Sequence, residues 1–258
     1  EIEFIVDKLP IAYPVNLNPV CDDDANSNDG FYEFDTSQIQ SELLGGQTGM
    51  EVHYYDAAGT ALSSPLPNPF ITNTQTVTVE IINPINPTCT ATTELIFEVN
   101  PIPEFAIQGA EILCITDPAS TLTLTAIPID SNQIYTYDWV DENGQNLSAF
   151  DTVTIDAPGV YMVTATTTDG TNCSSSDLIE ILPSEIATIT LDAITIVDDS
   201  DNNSITIDPS NLGLGSYEYS LDDPFFGYQD EPYFDQVSAG FHTIYIRDKN
   251  NCGTASIE

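Results

Sequence analysis

Gly159-Val-Tyr-Met-Val-Thr-Ala-Thr166 leads to Asp169 and Cys173, and Gly240-Phe-His-Thr-Ile-Tyr-Ile-Arg247 leads to Asp248 and Cys252. Both stretches open on glycine, alternate with period 2 in β-branched and aromatic residues, and reach a cysteine just after an Asp-containing turn. Upstream, Tyr135-Thr-Tyr-Asp-Trp139 matches Tyr217-Glu-Tyr-Ser-Leu221. In the first third of the chain the counterparts are Met50-Glu-Val-His-Tyr-Tyr55 and Thr76-Val-Thr-Val-Glu-Ile81, ahead of Cys89. A shorter motif marks the module ends: Glu1-Ile-Glu-Phe-Ile-Val6 before Leu9-Pro10, Glu94-Leu-Ile-Phe-Glu-Val99 before Ile102-Pro103, and Asp177-Leu-Ile-Glu-Ile-Leu182 before Pro183. Its copies start 93 and then 83 residues apart, the mark of a module array. The repeat predicts residues 1–10 as the last strand and linker of a preceding module, then modules over 11–103, 104–184 and 185–258.

Thr121-Leu-Thr-Leu-Thr-Ala126 and Ser204-Ile-Thr-Ile-Asp208 alternate in the same way, and Glu142-Asn-Gly144, Ala157-Pro-Gly159 and Asp169-Gly170 supply turns between strands. Modules of this size built from short alternating strands predict an all-β fold of tandem immunoglobulin-like antiparallel β-sandwiches, with Trp139 on a mid-module strand as a buried aromatic. One short helix is predicted over Ser37–Leu44, with Asp35 or Thr36 as its cap, Ile39 and Leu43 on one face and Gly45-Gly46 as its stop.

The 258 residues hold 3 Lys+Arg against 41 Asp+Glu, a net charge of −38. Such a surface repels phosphate backbones and anionic headgroups, which argues against nucleic-acid and membrane-surface partners. No apolar run is long enough to span a bilayer. With 41% hydrophobic residues, 12 Tyr and 11 Phe, the chain is too apolar for a disordered acidic tail. It starts in mid-pattern at Glu1 without an initiator Met or signal peptide, as a piece of a longer chain would.

Cys21 and Cys89 lie early and late in the first module, and Cys114 and Cys173 hold the same relative places in the second. This predicts intramodule disulfides Cys21–Cys89 and Cys114–Cys173, each closing a loop that contributes about 4 kcal/mol. Cys252 is left as a buried thiol or as a partner to something beyond the sequence. A zinc site is the sharper alternative, but no Cys-x-x-Cys pair or Cys/His cluster exists. Disulfides imply an oxidising, extracellular compartment.

Cys21-Asp-Asp-Asp-Ala-Asn-Ser-Asn-Asp-Gly30 places oxygen ligands at Asp22, Asp24, Asn26 and Asn28, with Glu33 twelfth from Asp22. Calcium takes six to eight such oxygens, so a structural Ca²⁺ is expected here, with Asp29 or Asp35 as alternatives to Glu33. Ser27 stands where an EF-hand has Gly and no helices flank the loop, so the site would be a loop cage between strands; a solvated Asx turn is the plain alternative. Asp199, Asp201 and Asn203 form a weaker copy that a hairpin turn also explains.

Phe225, Phe226, Tyr228 and Tyr233, bracketed by acids, form a possible ligand platform. A loop of this length more often buries its phenylalanines, and their exposure would favour a binding surface over a spacer. No catalytic constellation is present: His53 and His242 lie in different modules, and neither phosphate-loop nor dinucleotide fingerprints occur. The chain is expected to be non-enzymatic.

Cys21 through Asp35, then Leu44-Gly-Gly-Gln-Thr-Gly-Met50, Tyr54-Tyr-Asp56, Pro65-Leu-Pro-Asn-Pro69 and Asn86-Pro-Thr-Cys89, resembles a repeat of large flavobacterial surface proteins. Tyr217–Asp222 and Gly240–Gly253 resemble the segment that precedes the C-terminal type B sorting domain in those proteins, and the middle module resembles PKD-like repeats. Ser27 and Asn251 stand where that family usually has Gly. The resemblance implies export by the type IX secretion system, a place on the cell surface, and, as in many members, a gliding-motility adhesin. Its partners would be the secretion machinery and outer-membrane anchoring proteins, engaged through a region outside this chain, together with neighbouring modules. Asp151-Thr-Val153 fits a short O-glycosylation pattern of such proteins, at Thr152. The leading expectation is a calcium-stiffened extracellular stalk; the rivals are a carbohydrate- or protein-binding module and an accessory region of a secreted polysaccharide-degrading enzyme.

Overall fold

The structure, a computed structural model, describes residues 8–199 and 202–258; the expected terminal strand Glu1–Val6 and Asp201 lie outside them. It divides into two compact units. One comprises the described residues up to Glu104 with Asn132–Thr136 and Ala165–Ser175; the other comprises Phe105–Ser131, Tyr137–Thr164 and the described residues of Ser176–Glu258. The fold is nearly all-β, as expected, and the described residues form three separate hydrophobic cores.

The first sandwich contains β1 (Val20–Cys21), β2 (Phe31–Phe34), α1 (Ile39–Leu44), β3 (Glu51–Tyr55), β4 (Ala61–Leu62), β5 (Phe70–Asn73), β6 (Gln75–Asn83), β7 (Asn86–Phe97) and β8 (Val99–Asn100). Its main sheet runs β4-β3-β6-β7, with β2 paired to β5 and β1 paired in parallel to β8. The period-2 pattern of β6 turns Val77, Val79 and Ile81 inward, where each is fully buried with Leu95 and Phe97 of β7. Phe34 and Phe70 meet Phe97 edge-on at 4.9 and 5.3 Å between centroids. Helix α1 buries Ile39 and Leu43 against this core and ends at Gly45, whose left-handed backbone (φ 54°) closes the last turn. Its first turn lacks the expected side-chain cap: Asp35 accepts instead from the Ser37 amide, one turn too early.

The second sandwich contains β9 (Phe105–Gln108), β10 (Ile112–Cys114), β11 (Leu122–Pro128), β12 (Tyr135–Asp141), β13 (Asn146–Ser148), β14 (Thr152–Ile155), β15 (Gly159–Thr167) and β16 (Ser174–Ser184). Its sheets run β10-β16-β15-β12-β13 and β14-β11-β9, with β10 parallel to β16. Trp139 is fully buried among Leu124, Val163 and Ile181.

The third sandwich has fewer and shorter strands: β17 (Ile194–Val197), β18 (Ser204–Ile207), β19 (Tyr217–Leu221), β20 (Tyr233–Phe234), β21 (Ile244–Asp248) and β22 (Thr254–Ile257). They form the sheets β17-β18-β20 and β19-β21-β22 around Ile207, Leu212, Tyr219 and Ile246.

Candidate functional site: the disulfide-bonded junctions

The cysteines pair differently from the expectation. Cys21 bonds Cys173 and Cys114 bonds Cys252, with Cα–Cα distances of 5.5 and 5.3 Å, while Cys89 is free. The expected pairs Cys21–Cys89 and Cys114–Cys173 do not form, and Cys252 is neither a free thiol nor a partner beyond the sequence. The reason is strand direction. Because β1 runs parallel to β8, Cys21 sits opposite Asn100, at the end of the sandwich where the chain leaves. Cys89 lies 11 residues before Asn100 along β7 and β8, about 35 Å away at strand rise. Cys114 likewise sits opposite Ser184, and Cys173 lies 11 residues before Ser184 along β16. No disulfide spans such a distance. Each of these cysteines, on the strand that pairs in parallel with the last strand of its own sandwich, instead bonds the hairpin between the last two long strands of the next sandwich.

At the first junction this hairpin is the β15–β16 turn, which belongs to the same compact unit as the first sandwich. Thr167 and Cys173 bracket it: the Thr167 amide donates to the Cys173 carbonyl at 2.9 Å and the Cys173 amide to Thr167 Oγ1 at 3.1 Å. Asp169 Oδ1 accepts from the hydroxyl and amide of Thr171, bonds that hold the carboxyl below the usual carboxylate range. The linker is gripped from both sides. Ser175 Oγ donates to the Pro103 carbonyl. Asn28 Nδ2 donates to the Ile102 carbonyl and to Glu104 Oε1, both at 3.2 Å, and its Oδ1 accepts from the Ile102 amide at 2.9 Å.

That use of Asn28 redefines the acidic loop. Asp22 is 1% exposed and accepts from the Gly30 amide through Oδ2 at 2.7 Å, while its buried Oδ1 has no partner. Asp24 accepts from the Asn26 amide and Asp29 from the Phe31 amide, both Asx turns; Glu33 is exposed on β2 and Asp35 is committed to Ser37. Among the described residues no three His, Cys, Asp or Glu side chains gather as a metal-holding group, so no three of Asp22, Asp24, Glu33 and Asp35 come together. In the weaker candidate, Asn203 brackets its hairpin by accepting from the Asp199 amide and donating to the Val237 carbonyl.

The second junction is built on Asp248, which is fully buried. Its Oδ1 accepts from Ser184 Oγ and the Ser216 amide, both at 3.0 Å, and its Oδ2 accepts from the Asn250 and Cys252 amides, both at 3.1 Å. Ser184 also accepts from Asn250 Nδ2, so the end of β16, the hairpin and its cysteine share one hydrogen-bonded cluster. Gly253 allows the close approach, since a Cβ there would lie 2.7 Å from the Ile186 side chain.

The aromatic loop departs from the buried expectation: Phe225 and Phe226 are 74% and 76% exposed. Asp223 accepts from both their amides, which shapes the loop and leaves the rings outside. Tyr228 lies under the Arg247 guanidinium at 3.9 Å, and Tyr233 is exposed on β20. Beside the loop, His242 Nδ1 meets Asp222 Oδ2 at 2.6 Å and Nε2 meets the Ser238 carbonyl at 2.8 Å. A carboxylate and a carbonyl both accept, which favours the protonated ring. The Asp222 bond raises the His242 pKa and lowers that of Asp222. Phe241, next to His242, is 93% exposed. His53 lies on β3 beside Glu51, and Thr152 is exposed on β14.

Several solved structures are similar to the chain, three of them as follows. An amphioxus IgVJ-C2 molecule is 13% identical with a TM-score of 0.24, covering 58% of this chain and 94% of that one. A 1.5-MDa bacterial ice-binding adhesin is 12% identical with a TM-score of 0.33, covering 80% and 83%. A Ca²⁺-stabilised, ice-binding adhesin of an Antarctic bacterium is 12% identical with a TM-score of 0.30, covering 81% and 63%. Among curated proteins none matches the sequence. Residues 16–103, about a third of the chain, match the family described as the Flavobacterium inter-domain disulphide bond domain, a match that fits a flavobacterial surface protein.

Proposed function

We propose that the chain is a non-catalytic extracellular spacer of a flavobacterial surface protein, in which covalent bonds pass load from each sandwich to the next. The observation that carries this reading is the placement of the disulfides: both join consecutive sandwiches, and neither closes a loop within one. A disulfide within one sandwich protects that sandwich alone, whereas these hold the junctions where a pulled array first yields. The full protein would be an adhesin exported by the type IX secretion system, held at the surface through a region outside this chain. Replacing Cys21, Cys173, Cys114 and Cys252 by serine in that protein is expected to lower the shear at which cells detach. Unchanged retention at normal surface abundance would contradict the reading.

In the same reading the acidic loop takes up Ca²⁺ at the first junction, with the unpartnered Asp22 Oδ1 as its first ligand. Saturating calcium at 100 times the dissociation constant adds about 2.7 kcal/mol to a native state that alone binds it. The expected result is a rise of several degrees in one calorimetric transition, abolished in Asp24→Ala. A response no larger than that to sodium at equal ionic strength would reduce the loop to an Asx turn that clamps the linker.

The exposure of Phe225 and Phe226 favours a second role for the third sandwich, recognition of a carbohydrate or protein through these rings.

A further inference from the structure

We propose that Cys89 is one half of a third junction disulfide, made with a cysteine of a sandwich N-terminal to those described here, at the end of the strand that pairs in parallel with that sandwich's last strand. The proposal rests on the spacer reading and extends it: the first sandwich would be bonded on both sides.

The first support is positional. Cys89 lies 11 residues before Asn100, the residue opposite Cys21; Cys173 lies 11 residues before Ser184, the residue opposite Cys114. Cys89 therefore holds in the first sandwich the place that Cys173 holds in the second. Both Cys173 and its counterpart Cys252 in the third sandwich are bonded to the cysteine of the preceding sandwich whose strand pairs in parallel with that sandwich's last strand. Cys89 cannot turn to Cys21, about 35 Å away along the strands, and the other three cysteines are already paired.

The second support is independent of the sulfur. At both bonded junctions a polar side chain of the cysteine-bearing hairpin holds the incoming chain: Ser175 on the Pro103 carbonyl, and Asn250 on Oγ of Ser184, the last residue of β16. The β6–β7 hairpin does the same. Buried Asn83 donates through Nδ2 to the Lys8 carbonyl at 3.1 Å, and Pro10, the counterpart of Pro103 in the repeat, is buried. The segment entering the first sandwich thus runs past the Cys89 hairpin as the later linkers run past theirs.

The chemistry is thiol–disulfide exchange with an oxidoreductase that supplies an exchangeable disulfide. One thiolate opens that disulfide to form a mixed disulfide, and the second thiolate displaces the oxidoreductase. It departs as a dithiol with the two electrons and two protons that the cysteine pair gives up.

The test is made on the native protein, collected from its producing cells with free thiols blocked by N-ethylmaleimide and digested without reduction. The expected product is a Cys89 peptide linked to a peptide of the same protein from outside these 258 residues. Cys89 recovered as the maleimide adduct, or linked to Cys89 of a second copy, would overturn the proposal. The Cys21–Cys173 and Cys114–Cys252 peptides separate the two levels: if they are linked while Cys89 is blocked, this inference alone fails. If they too are blocked, the spacer reading fails with it.

Discussion

Replacing Cys114 and Cys252 together by serine is expected to lower the melting temperature of the third sandwich by about 10 °C or more, measured by scanning calorimetry under oxidising conditions. The bond closes a loop across 138 residues, for which the chain-entropy model gives about 5 kcal/mol, while removal of native disulfides commonly costs about 2–5 kcal/mol. In a domain of this size each kcal/mol moves the midpoint by about 4–8 °C. The third sandwich is the one least able to absorb the loss, since its sheets have three strands each and β20 has two residues. A transition for this sandwich is expected to separate from the rest, because the disulfide couples its unfolded state to that of the second. A midpoint unchanged within error would mean that the bond contributes no stability.

Asp248→Ala is expected to have the next largest effect, a loss on the order of 3 kcal/mol or more in urea unfolding of the third sandwich. Four donors converge on this carboxylate: the Ser184 hydroxyl and the amides of Ser216, Asn250 and Cys252. Alanine removes the charge-assisted bonds and leaves these donors facing a gap in a fully buried site. Asp248→Asn keeps the shape but turns an amide group toward N–H donors, so it should recover only part of the loss. Because the same carboxylate orients the Cys252 amide, the alanine variant should also form the Cys114–Cys252 bond more slowly on oxidative refolding. Wild-type stability and pairing rate would show that backbone geometry alone sets this turn.

The strands were legible because burial leaves a period-2 trace, plain in Val77, Val79 and Ile81 and in the repeat from Gly159 and Gly240. The helix was legible through Ile39, Leu43 and the Gly45 stop. The disulfide pairing was not. Counting residues shows that Cys21 is early and Cys89 late in a module, but not that β1 runs parallel to β8 and carries Cys21 to the far end. The 11-residue run between Cys89 and Asn100 was visible, yet it acquires meaning only once the parallel pairing is known. Likewise, the alternation of Asp and Asn that suggests a calcium loop also suits Asx turns. What the alternation lacks is the linker backbone, which takes up the whole amide of Asn28. Composition gives the aromatic loop no direction, and it is Asp223, holding the Phe225 and Phe226 amides, that leaves those rings in solvent.

Stretching the oxidised chain by its two ends tests the account most directly, because the two disulfides overlap in sequence. Once every sandwich has unfolded, the shortest covalent path runs 20 residue steps to Cys21, back 59 steps from Cys173 to Cys114, and 6 steps from Cys252 to the end. At about 3.5 Å per residue this limits the extension to about 300 Å, against about 900 Å for the reduced chain. Pairing within modules would leave a longer path, of about 450 Å. The junction-disulfide account predicts the shortest of these lengths, and an oxidised limit near 450 Å or beyond would contradict it.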